Sequence, residues 1–308
     1  MPELIGGSAD LTPSNLTTLT CSTDYQPASP SGRYIRFGVR EHAMSAICNG
    51  MFAYGGMRPY CATFLNFAGY ALGAIRLSAL SKFGVVYVMT HDSIGLGEDG
   101  PTHQPIEMIE SLRSMPNCNV VRPCDEVETR AAYRIAVKGK ETPTVICLSR
   151  QTLPYLDGSD VEKAMKGGYV IKDVDAGKEP DVILVGTGSE TGLCVQAADM
   201  LKGNGVNAKV VSMVCMDIFD SQTLSYKKSV LNDSVPVIAV EAASAGSWSK
   251  YSHVQFCMTT FGASAKGGDL MKKYGFTAEE VARKTKVVLD FYSGKKEMCA
   301  GLLDRPVF

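Results

Sequence analysis

An α/β protein of two domains, each a mostly parallel sheet flanked by helices, is what this sequence predicts, and three observations predict it. Short β-rich runs alternate with segments of helical period along the whole chain, the pattern that wraps a parallel sheet in helices on both faces. The length of 308 residues is enough for two cores. Finally, the pattern dissolves from Gln151 to Lys166 into a turn-rich stretch with Pro154, Asp157, Gly158 and Ser159, which reads as a junction. The expected division is a first domain over residues 1–155, a linker over 156–166 and a second domain over 167–308.

In chain order, the strands expected in the first domain are Tyr34 to Val39, a run ending near Thr63, Val85 to His91, Asn119 to Arg122 and Thr144 to Ser149. Between them, apolar residues recur at three and four positions in Glu41 to Tyr54, Phe67 to Phe83, Pro105 to Ser114 and Glu126 to Val137, which predicts helices. Asp125 suits the N-cap of the last. The second domain has strand patterns at Tyr169 to Lys172, Asp181 to Val185, Ala208 to Met213 and Pro236 to Glu241, and helix patterns at Thr191 to Lys202 and Ala278 to Tyr292.

Composition narrows the function classes. A formal net charge of -1 provides no basic face for a nucleic acid or an anionic membrane, so any anionic ligand must be held by a few local cations. Ten cysteines are scattered without a C-x-x-C or a zinc-ligand spacing, as expected of reduced thiols in a cytoplasmic protein. The N-terminus has no basic segment followed by an apolar core, no apolar stretch is long enough to span a bilayer, and the C-terminus is not a peroxisomal signal.

Ligands of such sheets sit beyond the carboxyl ends of the strands, so the residues following each strand are the candidates. Glu41 opens a helix in Arg40-Glu41-His42-Ala43-Met44, where a carboxylate either stabilises the helix dipole or serves a ligand. Phe64, Phe67 and Tyr70 recur every three residues, as core or as a slot for a flat ring. The segment from His91 to Pro105 holds His91, Asp92, Glu98, Asp99 and His103 among glycines, either a solvated loop or a functional one. His91 and His103 are too far apart in sequence for a local metal chelate. Arg150 follows a strand, as a phosphate fork or as a salt-bridge or capping residue. Gly186-Thr187-Gly188-Ser189-Glu190-Thr191-Gly192 lacks the G-x-G-x-x-G spacing and reads as a tight strand-to-helix turn rather than a dinucleotide site. Glu241, Trp248 and His253 read as ordinary packing, with an interface or rim as the alternative.

Together with Gly6-Gly7-Ser8-Ala9-Asp10-Leu11-Thr12-Pro13-Ser14-Asn15 and Ser149-Arg150-Gln151, these motifs closely resemble transketolases in order and spacing. The resemblance runs from Pro2 to the C-terminus, is strongest through Arg150, and is most specific in the His91 to Pro105 stretch. It implies a thiamine diphosphate enzyme of the pentose phosphate pathway that transfers a two-carbon ketol unit from a ketose phosphate to an aldose phosphate. Glu41 then matches the glutamate that activates the cofactor through its pyrimidine ring, for which a dry site that raises a carboxyl pKa is suited. Phe64, Phe67 and Tyr70 match the pyrimidine pocket, with Asp10 and Leu11 beside it. His91, Asp99 and His103 match substrate residues, the two histidines with catalytic roles as well, and Ser14 and Arg150 match the grip on the distal sugar phosphate.

The resemblance also implies what these residues do not supply. The family's Gly-Asp-Gly segment and downstream Asn, which hold Mg²⁺ and the diphosphate, are absent here, so no metal ligand is expected in this chain. Those groups are expected on an N-terminal diphosphate-binding half or subunit, within a homodimer whose cofactor lies between subunits. Met1 stands just before a motif that is internal in full-length relatives, which favours a fragment over one subunit of a split enzyme. The competing classes are a non-catalytic dimerising or regulatory module, and an NAD-dependent dehydrogenase, which the glycine spacing disfavours.

Overall fold

The computed structural model describes residues 1–231 and 234–304. Five strands form the first sheet: β1 (Leu4–Ser8), β2 (Arg58–Phe64), β3 (Val86–Thr90), β4 (Asn119–Val121) and β5 (Thr144–Leu148). Their order is β1-β2-β3-β5-β4 and every pairing is parallel. The second sheet holds β6 (Gly168–Lys172), β7 (Val182–Gly186), β8 (Ala208–Met213), β9 (Val237–Glu241) and β10 (Val254–Cys257) in the order β10-β9-β7-β8-β6, with only β6 antiparallel to its neighbour. The central strands read Val-Tyr-Val-Met-Thr and Val-Ile-Leu-Val-Gly and are buried along their full length, as strands covered on both faces must be.

Alternation along the strands of the first sheet divides its side chains between two cores. Cys61, Tyr87, Met89, Val145 and Cys147 pack with Met44 and Cys48 of the helix Glu41–Tyr54 and with Ala71 and Ile75 of the helix Ala68–Leu80. On the other face Val86, Val88 and Ile146 meet Ala131, Ala132 and Ile135 of the helix Glu126–Lys138. This second cluster runs on through Tyr169, Ile171 and Leu184, so one apolar core spans both sheets.

Asp125 caps its helix as expected, accepting from Glu128 N at 2.9 Å, and its other oxygen accepts from Leu156 N at 3.2 Å and from the Ser159 hydroxyl. The helix start thereby holds down the segment joining the domains. That segment also contains a one-turn helix, Val161–Ala164, where none was expected.

The expected strand Tyr34 to Val39 does not form. Only Tyr34 makes isolated bridges, although Ile35 and Phe37 still donate to Gly6 O and Ser8 O at 2.7 and 3.3 Å, before Gly38 (φ 71°) turns the chain away. The true edge strand is β1, built around Gly6-Gly7. A Cβ on Gly6 would stand 1.8 Å from Tyr60 O, and one on Gly7 1.9 Å from Ile35 O. The pair lets β1 lie tightly between β2 and the following loop. The helix Met108–Arg113 is shorter than the expected Pro105 to Ser114, and Ser189–Lys202 starts two residues before the expected Thr191.

Candidate active site

The carboxyl ends of four strands gather most of the expected site residues. β1 ends at Ser8, after which come Asp10 in a left-handed conformation (φ 61°), Leu11, and a one-turn helix Thr12–Asn15 that carries Ser14. β2 ends at Phe64, followed by the 3-10 turn Leu65–Phe67 and then Tyr70 in the first turn of its helix. β3 delivers His91, and β5 delivers Ser149 and Arg150. Leu11, Ser14, Phe64, His91, Asp99, His103 and Arg150 line one cleft of about 810 Å³, together with Asn15, Thr90 and Tyr133. Asp10, Glu41, Phe67 and Tyr70 stand outside that lining.

His91 is the most constrained of these groups. It is a non-glycine residue at φ 61°, a backbone state with a steric cost that persists where surrounding contacts enforce it. Its ring stacks on Phe64 with centroids 3.7 Å apart at 21°, and its Nδ1 lies 2.8 Å from the Thr90 hydroxyl. Burial lowers its pKa to about 4; Asp99 opposes the shift and Arg150 adds to it. The ring is therefore neutral at pH 7. His103 meets the aromatic stripe edge-on, at 5.1 Å from Phe67 and 6.3 Å from Phe64, while its own Nδ1 lies 2.9 Å from the Thr102 hydroxyl. Phe64 and Phe67 stack at 5.7 Å, and Phe67 and Tyr70 are 5.9 Å apart. The stripe passes from the buried Phe64 to Tyr70, which is 69% exposed. It is thus core at one end and open at the other.

Glu41, the first residue of its helix, is only 9% exposed. Its carboxylate makes no hydrogen bond or salt bridge among the described residues. Arg150 is exposed and likewise makes neither, so the salt-bridge and capping alternatives for it are not realised there. Asp99 is exposed on its loop. No group of three His, Cys, Asp or Glu among the described residues is placed to hold a metal.

The loop bearing Asp99 and His103 is buttressed by the second domain, through Gln104 Nε2 to Ala263 O at 2.9 Å and Ser264 Oγ to Glu98 O at 2.6 Å. Deeper in, an ion cluster that sequence reasoning missed joins the domains. Arg122, wholly buried just after β4, donates from Nε to Asp92 at 2.8 Å and from Nη1 to Glu190, with Glu241 at 3.4 Å. Arg113 pairs with Glu241 through both terminal nitrogens at 2.7 and 3.0 Å, and the Trp248 indole donates to the same carboxylate at 2.6 Å. Burial pushes Glu241 up, and the two guanidiniums more than reverse this, leaving it below the usual carboxylate range; Glu190 ends raised, chiefly by burial. The Gly186 to Gly192 turn serves this cluster, since a Cβ on Gly188 would stand 2.7 Å from Arg122 Nε. The available signal is an arginine at the end of the expected strand Asn119 to Arg122, which the structure places just after β4. Glu241 and Trp248 are buried at the domain interface, whereas His253 accepts from Val237 N at 2.9 Å and packs near Tyr292.

A parallel-sheet domain with a strand-end cleft, followed by a second α/β domain, is the architecture of a pyrimidine-binding domain joined to a C-terminal domain. Matching family models are described as the pyrimidine binding domain of transketolase, over residues 1–155, and the transketolase-like C-terminal domain, over residues 167–277. The chain belongs to the transketolase family. It is 53% identical over 302 residues to transketolase 1 of Saccharomyces cerevisiae, covering 96% of this chain and 44% of that protein. A crystal structure of the Pichia stipitis transketolase complex with sedoheptulose 7-phosphate superposes with a TM-score of 0.95 at 52% identity, over 100% of this chain and 46% of that one. A split-gene transketolase described as an inactive β4 tetramer aligns at TM-score 0.74 and 26% identity, covering 94% of this chain and 93% of that chain. The chain thus spans less than half the length of the curated relative.

Proposed function

We propose that this chain supplies the pyrimidine-side groove and the sugar-phosphate grip of a transketolase, and that it is inactive until joined to a diphosphate-binding half. The reaction would move a two-carbon ketol unit from a ketose phosphate to an aldose phosphate in the pentose phosphate pathway. The observation that carries this reading is Glu41, nearly buried yet with an unpartnered carboxylate, at the start of the helix that runs between β1 and β2, the strands whose carboxyl ends lead to Ser14 and to the aromatic stripe.

That donor set fits the pyrimidine side of thiamine diphosphate. Glu41 would hold a proton-sharing hydrogen bond at a ring nitrogen, and Phe67, between Phe64 and the exposed Tyr70, offers a face for the flat ring. Asp10 and Leu11 would border the same region. When bound, the cofactor supplies the stabilisation of negative charge on the transferred carbon. Ser14 and Arg150 would hold the distal phosphate, the unpartnered guanidinium being suited to a bidentate contact. Asp99 and His103 would orient sugar hydroxyls, and His91, neutral at pH 7, would accept a hydroxyl proton. The diphosphate and Mg²⁺ are assigned to the other half.

Assembly as a homodimer is part of the same proposal. The helices flanking the site expose Ile47, Tyr54, Tyr70, Leu77 and Leu80, an apolar surface suited to a subunit interface. A cytoplasmic placement is part of the same proposal; no helix among the described residues is long and apolar enough to cross a membrane, and all ten cysteines are free thiols.

The test is ketol transfer from xylulose 5-phosphate to ribose 5-phosphate with thiamine diphosphate and Mg²⁺. The chain is assayed alone, then mixed with a separately produced diphosphate-binding half. Activity only in the mixture, reduced at least about a hundredfold by Glu41→Ala, is the expected result. No activity in a mixture whose folded halves associate would favour a non-catalytic module.

A further inference from the structure

The chemistry of His91 depends on which ring nitrogen carries the proton, and a buried hydrogen-bond chain decides it. Ser8, Thr12, Asn15, Thr17, Tyr34, Thr90 and His91 are each at most 9% exposed and form a continuous hydrogen-bonded series that ends in the cleft wall at Asn15, Thr90 and His91. A hydroxyl has one hydrogen to donate, so the direction of one bond propagates to the next. Tyr34 donates to Thr12 Oγ1 at 2.7 Å. The 2.9 Å contact between Thr17 and Tyr34 must then be donated by Thr17, and the 2.7 Å contact between Ser8 and Thr17 by Ser8. Ser8 can only accept from Asn15 Nδ2, at 3.2 Å, which turns Asn15 Oδ1 to receive the Thr90 hydrogen at 2.7 Å. With that hydrogen used, the 2.8 Å contact between Thr90 and His91 must be donated by His91 Nδ1.

We infer that this one-way chain locks His91 in its Nδ1–H tautomer and leaves Nε2 as a bare acceptor on the ring that lines the cleft. Thr90 and Asn15 are thereby positioning residues. Reversal would require every bond in the series to turn round, the Asn15 amide to flip, and Nε2 to carry the hydrogen instead. The left-handed backbone of His91 and its stack on Phe64 fix the ring plane, so the chain has only the proton left to place. In the transfer reaction, and resting there on the function proposed above, bare Nε2 accepts a hydrogen bond or proton from a sugar hydroxyl, which the other tautomer cannot do.

Nitrogen-15 spectra of the histidine rings of this chain at pH 7 test the assignment. The sequence has only four histidines, so single His→Gln variants identify each ring. The expected spectrum shows His91 with a protonated Nδ1 and an unprotonated Nε2. Thr90→Val, nearly isosteric, turns this into an average of both tautomers, and Thr90→Ser restores it. A wild-type His91 protonated on Nε2, or a Thr90→Val spectrum identical to wild type, overturns the inference. In the two-half assay, Thr90→Val lowers kcat by about tenfold or more with a smaller change in KM, and Thr90→Ser recovers it. Wild-type spectra as expected together with an inactive mixture would leave the tautomer assigned and overturn the transketolase reading alone.

Discussion

His91 shows how much of the site is built at the scale of one residue. A left-handed backbone, an aromatic stack and a buried hydroxyl hold its ring, and burial keeps that ring uncharged with a pKa of about 4, against an ordinary value of 6.5. Because the folded pKa is the lower one, the unfolded chain binds this proton first as pH falls. The contribution of His91 to stability is therefore intact above pH 6.5 and lost progressively between pH 6.5 and about 4. Urea midpoints measured across that window should fall more steeply for wild type than for His91→Gln. Parallel profiles would mean that the ring titrates alike in both states. Thr90, Asn15 and Phe64 supply the environment that makes the difference, and of these only Phe64 belonged to a motif with a readable periodicity.

At the scale of elements, the glycines of β1 decide the edge of the site. Gly6→Ala puts a methyl group against the Tyr60 carbonyl oxygen and should cost about 1–3 kcal/mol in urea denaturation. Gly50→Ala, on the helix Glu41–Tyr54 with nothing within 4 Å of the added carbon, should instead stabilise by about 0.5–1 kcal/mol. Equal effects of the two would remove the close approach as the reason for Gly6. The same glycines explain why β1 was illegible in the sequence, since Gly-Gly carries no side chain to alternate and resembles a turn. Tyr34 to Val39 failed in the opposite way. It alternates like a strand, and Ile35 and Phe37 do bond to β1, but the ladder is too sparse to extend. Glu41–Tyr54 and Ala278–Tyr292 were legible to their ends because a 3.6-residue period over four turns has little competition. Strand-end positions were legible for a different reason, short β-rich apolar runs that stop at polar residues, and they delivered His91, Phe64 and Arg150. The partners of those residues lie far away in sequence, and spacing along the chain contains no signal for Asn15 bonding Thr90 or Arg122 bonding Glu190.

Across the whole molecule, the second domain acts on the site by holding it. Asp92 follows His91 directly, and its partner Arg122 is shared with Glu190 of the second domain. Three carboxylates, Asp92, Glu190 and Glu241, thus meet two guanidiniums, Arg113 and Arg122, with almost no solvent. Arg122→Met should cost about 3–5 kcal/mol, because it leaves buried acids without their cation. Glu190→Gln, whose carboxyl is already pushed upward by burial, should cost less, and denaturation of the two variants side by side would show the order. A domain that buttresses the loop still does not complete the proposed cofactor site, for which, on the function proposed above, this chain would supply the acid and the ring face. Calorimetric titration of thiamine diphosphate with Mg²⁺ tests that claim most directly. The account predicts no saturable binding to the chain alone at concentrations that saturate the mixture of the two halves, and weaker binding to the mixture when it carries Glu41→Ala. Binding to the chain alone as tight as to the mixture would contradict it, by showing that these 308 residues already contain the diphosphate site.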